Sequence, residues 1–265
     1  QNTDAFNIGR KVVSDPHWTD TIDLYRSGSL ASKPNLSSDA IGLIKSISPD
    51  EELKRILEYR TQELIDYQNL SYAKEYISFV DNIYKKEKDL RSSSELSQNV
   101  AKYLFKLMAT KDEYEVARLS LKAELDSAIN KEFGKSAKIN YMLHPPFLKA
   151  MENIPILNMI PGVKSKLALG SWFKVFYVML KNMKFLRGTP FDFMAWFSND
   201  VRKADSKALN HYKSILMNNI DEIGNGKYQD LKDFSVLPDI IRGYEEVRLE
   251  TMTEYYQKSD NLFKA

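Results

Sequence analysis

The chain contains no cysteine in its 265 residues. That excludes disulfides, cysteine-ligated zinc, iron–sulfur ligation and thiol nucleophiles within this chain, and it fits a reducing, cytoplasmic compartment. Glycine and proline number only ten and nine, so breakers are few and long helices are favoured. Histidine is rarer still. His17, His144 and His211 stand far apart, and none falls in an H-x-x-x-H or H-E-x-x-H spacing that would set two ligands on one helix face. Metal binding by His pairs is unsupported, and His144 beside Pro145-Pro146 reads as a loop histidine satisfied by backbone rather than a general base. No glycine-rich phosphate loop, G-x-S-x-G elbow or dinucleotide fingerprint occurs. Carboxylates are plentiful, yet no pair stands out by spacing, and on helices they mostly form solvated i,i+4 pairs. Catalytic, cofactor-binding and metal-binding residues are all expected to be absent.

A long hydrophobic run is missing too. The most apolar stretch, residues 172–186, is interrupted by Lys174, Lys181 and Lys184 and is shorter than the roughly 20 residues a bilayer requires. It reads as a buried helix, not a membrane span. Charge of one sign is likewise lacking: 38 basic against 36 acidic side chains leave +2, so no global field recruits nucleic acid. The chain opens on Gln1 with no leader-like pattern before the folded part, which reads as a piece of a longer polypeptide.

What is abundant is core-forming material. Hydrophobic residues make up 43% of the chain, with fifteen Tyr and thirteen Phe, enough to fill a substantial interior. Short helices are expected over residues 4–13 and 18–25, followed by a Ser/Gly-rich connector at 27–38. Ser48-Pro49-Asp50-Glu51 reads as a capping box that opens a long helix to about residue 89. Ser92-Ser93-Ser94-Glu95 resets the chain, and Val100, Tyr103, Leu104, Leu107 and Met108 then form one apolar face. Thr110-Lys111-Asp112-Glu113 is a third box, from which a new helix starts or an existing one bends. Alternation of Ile139, Tyr141 and Leu143 predicts the one strand-like piece, and an irregular loop follows to Gly170. A helix from Trp172, another over about 195–223 stopped by Gly224-Asn225-Gly226, and a last one over 238–263 complete the reading. The expected fold is all-α, with roughly eight helices. Residues 1–36 are taken as junction and connector, and 37–265 as the helical domain.

One compositional anomaly remains. Between residues 153 and 191, Lys164, Lys166, Lys174, Lys181, Lys184 and Arg187 occur without a single Asp or Glu. The stretch reads as a basic face, either neutralised by neighbouring acidic helices or free to meet an anionic partner.

The string Tyr103-Leu104-Phe105-Lys106-Leu107-Met108-Ala109-Thr110-Lys111-Asp112-Glu113-Tyr114-Glu115-Val116-Ala117-Arg118-Leu119 resembles the domain that closes fused indolepyruvate ferredoxin oxidoreductases. Further matches follow in order: Asp66-Tyr67-Gln68-Asn69 with Tyr72-Ala73, Leu143 with Pro146, Gly170 with Trp172, Leu186-Arg187-Gly188-Thr189 with Phe191-Asp192, and Pro238 to Tyr244 including Arg242. Asn2, Ala5-Phe6, Gly9-Arg10 and Asp15-Pro16 resemble the junction with that family's preceding domain. The resemblance implies a parent that oxidatively decarboxylates aryl 2-oxo acids, with ferredoxin and coenzyme A as partners. Thiamine diphosphate, Mg²⁺ and iron–sulfur clusters would be held by its earlier domains. It also implies an accessory role here, packed against other domains or subunits, with Lys111, Asp112, Glu113, Glu115, Arg118, Trp172, Arg187 and Arg242 as structural or interface residues. Charge spacing adds that Glu113 should cap the Thr110 N–H, and that Glu115 should pair with Arg118 and Lys111. The alternative is an autonomous helical binding module that uses residues 164–187 to contact an anionic partner.

Overall fold

Several helix starts in this chain are set by side chains that capture free N–H groups, and one of those side chains, Glu87, comes from a different helix. The computed structural model describes residues 35–134, 140–143 and 167–263. The chain divides into two units, Gln1–Ser37 and Ser38–Ala265, and the architecture below is that of the second. Helix α1 (Ser38–Ile47) ends where Ser48 turns to φ 52°. Helix α2 (Glu51–Tyr67) then starts on Asp50, whose carboxylate accepts from Leu53 N. The cap is therefore Asp50, not Ser48 as the S-P-D-E pattern suggested: a carboxylate nearer the first turn replaces the hydroxyl. The single long helix expected to residue 89 is two, because Asn69 breaks the run and caps α3 (Leu70–Leu90) by accepting from Tyr72 N.

Helix α4 (Glu95–Met108) has Ser94 at its N-cap without a side-chain bond. Its free N–H groups are taken by Glu87 of α3, fully buried, whose carboxylate accepts from Leu96 N at 2.9 Å, Ser97 N at 2.8 Å and the Tyr228 hydroxyl at 2.8 Å. Helix α5 (Glu113–Ser120) begins on Asp112, which accepts from Glu115 N. Thr110 thus precedes a true break rather than capping a helix. Helix α6 spans Ala123–Phe133. Strand β1 (Tyr141–Leu143) lies where alternation placed it and pairs antiparallel with β2 (Leu167–Leu169), inside the stretch read as irregular loop. A 3₁₀ turn at Ser171–Phe173 leads into α7 (Lys174–Asn182), and another, Met183–Leu186, follows it.

Helix α8 (Phe193–Asn219) runs into a 3₁₀ turn, Ile220–Asn225, that ends at Gly226 with φ 95°. Helix α9 (Tyr228–Val236), which the sequence reading did not separate, is followed by the 3₁₀ turn Leu237–Ile240 and by α10 (Glu245–Phe263). The expected short helices at 4–13 and 18–25, with most of the connector, lie outside the described residues, as do His17, His144, Lys164 and Lys166.

The fold is all-α, with ten α-helices and one three-residue hairpin pair among the described residues. Its main core gathers Leu53 and Leu57 of α2, Tyr76 and Val80 of α3, Leu96 and Leu104 of α4, Tyr212 and Leu216 of α8, Phe234 of α9 and Tyr255 of α10. A second, smaller cluster joins Tyr114 and Ala117 of α5 to Phe173, Tyr177 and Leu180 around α7 and to Met194 of α8. The two cores meet at the α4–α5 break, and the charged motif sits at that seam.

Candidate functional site

Segments far apart in sequence converge at the seam: the α2–α3 corner at Tyr67–Tyr72, the α4–α5 break, the turn at Arg187–Asp192 and the first half of α8. Arg187 grips Asp112 with two bonds, Nε to Oδ2 at 2.5 Å and Nη2 to Oδ1 at 2.8 Å. Its Nη1 donates to the Tyr67 carbonyl and to Gln68 Oε1, each at 2.7 Å. The guanidinium lies 3.8 Å from the centre of the Tyr67 ring, which stacks on Tyr72 at 6.0 Å. This planar, bidentate and stacked arrangement is one that lysine could not reproduce. Burial alone would pull the Arg187 guanidinium down, but Asp112 outweighs it and holds the group above its ordinary value. Burial pushes the Tyr67 phenol up to about 12.

A second arginine serves the other side of the seam. Arg202 donates to Asp192 at 2.7 Å and to Glu113 at 2.6 Å. Asp192, almost fully buried, also accepts from the Tyr114 hydroxyl at 2.9 Å and from the backbone N–H groups of Gly188 and Ala195. Glu113 therefore binds Arg202 and does not cap Thr110; the helix starts later than the capping-box reading assumed, which turns the Glu113 side chain toward α8. Tyr114 is pushed well above the normal phenol range by burial and then by the Asp192 carboxylate, so it stays protonated and donates.

Behind this pair lies a third network. Arg118 donates from Nε and Nη2 to Glu115, both at 2.8 Å, and from Nη2 to Glu63 of α2 at 2.5 Å, while Lys122 reaches Glu63 at 2.6 Å. The expected Glu115–Arg118 pair is present and buried, with side-chain exposures of 7% and 8%. Burial would lower the Arg118 guanidinium, but the hydrogen bonds it donates to Glu115 and Glu63 hold it higher than normal. Glu63 is raised by burial yet lowered overall by Lys122 and Arg118. Lys111 is exposed and makes no pair with Glu115 among the described residues, because Arg118 already occupies both carboxylate oxygens.

Of the singled-out residues, Asp112, Glu113, Glu115, Arg118 and Arg187 are brought together; Trp172, Lys111 and Arg242 are not. Trp172 is 68% exposed at the start of α7 and meets Phe173 edge-on. Arg242 binds Asp239 at 2.8 Å at an exposed position. Sequence reasoning missed Glu63, Asp192 and Arg202 as members; Glu63 is one of many helix carboxylates, and nothing local marks it. In the basic stretch, Lys174 binds Asp126 at 2.8 Å, Lys184 donates to the Asp66 carbonyl at 2.6 Å, and Arg187 is spent on Asp112. Lys181 faces solvent.

Over the seam opens a groove of about 930 Å³ lined by Tyr72, Met108, Thr189 and the exposed side of α8. No group of three or more His, Cys, Asp or Glu that could hold a metal occurs among the described residues. No described helix is long and apolar enough to cross a membrane. The class these features define is a helical domain whose recognisable residues brace one helix against another. A model of DUF6537, a family of unknown function, matches residues 53–261, and the chain belongs to that family. No curated protein and no solved structure matches it.

Proposed function

We propose that this domain is the accessory, non-catalytic closing domain of an enzyme resembling fused indolepyruvate ferredoxin oxidoreductase, and that it docks on the thiamine-binding core of that parent. The ordered motif resemblance supports the parent. One observation carries the docking: the turn Ser171–Phe173 and α7 together present apolar side chains both inward and outward, with Lys181 the exposed cation among them. Phe173, Tyr177 and Leu180 are buried in the second core, while Trp172, Val175, Val178 and Met179 project outward with exposures of 68%, 77%, 48% and 47%. Helices apolar all round are ordinarily covered on all sides, and an exposed patch of this kind marks a protein contact. A membrane surface suits the patch less well, because Lys174, Lys184 and Arg187 are turned onto partners within the domain and leave few cations for lipid headgroups.

In this reading thiamine diphosphate, Mg²⁺ and the iron–sulfur clusters belong to the preceding domains, and ferredoxin and coenzyme A are partners of the parent. The lack of cysteine supports a cytoplasmic setting. The test is to produce this chain and the thiamine-binding core as separate polypeptides and follow their association by analytical ultracentrifugation. A complex is expected, weakened at least about tenfold by Trp172→Glu with the helix content of the chain unchanged. No complex with the unmodified chain, or one indifferent to Trp172→Glu, would overturn the reading.

A further inference from the structure

The groove over the seam has an uneven charge balance. Its walls carry Asp112, Asp192 and Asp205, but each is engaged: Asp112 by Arg187, Asp192 by Arg202, and Asp205 by Arg248 at 2.7 Å. Two further cations line the groove, Lys203 and Lys207. Both are exposed and neither forms an ion pair among the described residues, although the Lys207 ammonium rests 5.4 Å from the centre of the Tyr256 ring on α10. They stand four residues apart on α8, so they project from one face of the helix about one turn apart. Like charges at this spacing are mildly unfavourable, and an anion bound between them relieves that repulsion.

The neighbouring groups are donors without charge. Ser206 and Asn210 lie on the same exposed face of α8; Thr189 also lines the groove, but its hydroxyl donates to the Leu186 carbonyl at 2.7 Å. Tyr72 also lines the groove, its hydroxyl committed to the Met108 carbonyl at 3.0 Å and its face stacked on Tyr67. Two cations with hydroxyl and amide donors suit an anion with several acceptor oxygens, and an aromatic wall suits an apolar remainder.

We propose that this groove binds a phosphorylated small molecule, its phosphoryl oxygens held by Lys203 and Lys207. The role goes beyond the docking proposed above and uses a different surface from α7. Inorganic pyrophosphate is the probe, titrated calorimetrically into the full chain at constant ionic strength. Saturable binding is expected, at least tenfold weaker in the Lys203→Ala/Lys207→Ala double variant and in Asn210→Glu, and unchanged in Lys181→Ala, which removes an exposed lysine outside the groove. Circular dichroism identical to the parent chain qualifies each variant. Three results would overturn the proposal: no saturable binding, equal weakening by Lys181→Ala, or a hexaglutamate peptide that binds more tightly than pyrophosphate and loses affinity in the double variant. The last would assign the groove to an acidic protein segment.

Discussion

His211 shows how much a single side chain depends on distant elements. Its ring lies between α8 and α10, with Nδ1 3.1 Å from the Tyr255 hydroxyl and its edge or face against Phe234, Tyr255 and Tyr256. Burial first, and Lys207 second, depress its pKa below 6.5, against an opposing contribution from Asp260. A depressed base remains neutral in the folded state while the unfolded chain takes up its proton near 6.5. Stability is therefore full above that pH and falls as pH drops below it. We predict that the denaturation midpoint declines between pH 7.5 and 5.5 more steeply in the native chain than in His211→Gln; equal slopes would contradict this. Nothing in the sequence signalled the environment, because His211 has no nearby motif and its three aromatic neighbours lie some twenty to forty-five residues away.

At the scale of elements, the helical periodicity of α2 to α4 and α8 was legible, and so was the strand at Tyr141. Boundaries were less so. Where the cap is local, as at Asp50 and Asp112, the pattern came within two residues. Where it is remote, as with Glu87 capping α4 from α3, no short-range rule could find it. The expected continuous helix over 238–263 fails at Gly243, where φ is 78° and a Cβ would lie 2.6 Å from Val247 Cγ1. Gly243→Ala should therefore cost about 1–3 kcal/mol, combining left-handed strain with a clash. Gly226→Ala, with φ 95° but nothing within 4 Å of the added Cβ, should cost less. Chemical denaturation of the two variants checks the order; a Gly226 variant as damaged as the Gly243 variant would argue against the steric account.

Within the helical unit from Ser38, the described residues form two apolar clusters, and charged networks bridge the seam between them. Asp112–Arg187, Asp192–Arg202 and Glu63–Arg118–Glu115 bind α2, α5, the turn before α8, and α8 itself. The resemblance pointed to many of these residues in sequence but not to their convergence, since positions 63, 112, 187 and 202 meet only once the helices pack. With every charge but Lys111 engaged inside the domain, the recognisable string is predicted to be scaffold. Removing Arg118 strands the buried Glu115 carboxylate and leaves Glu63 with Lys122 alone, a change that costs roughly 3–5 kcal/mol, whereas an exposed pair would cost well under about 1 kcal/mol. The decisive measurement is urea denaturation of this chain with Arg118→Ala, without substrate or cofactor, alongside turnover of the proposed parent enzyme carrying the same change. A midpoint lowered by the buried-pair amount is the predicted result; unchanged stability together with lost turnover would make the string a functional site and contradict the account.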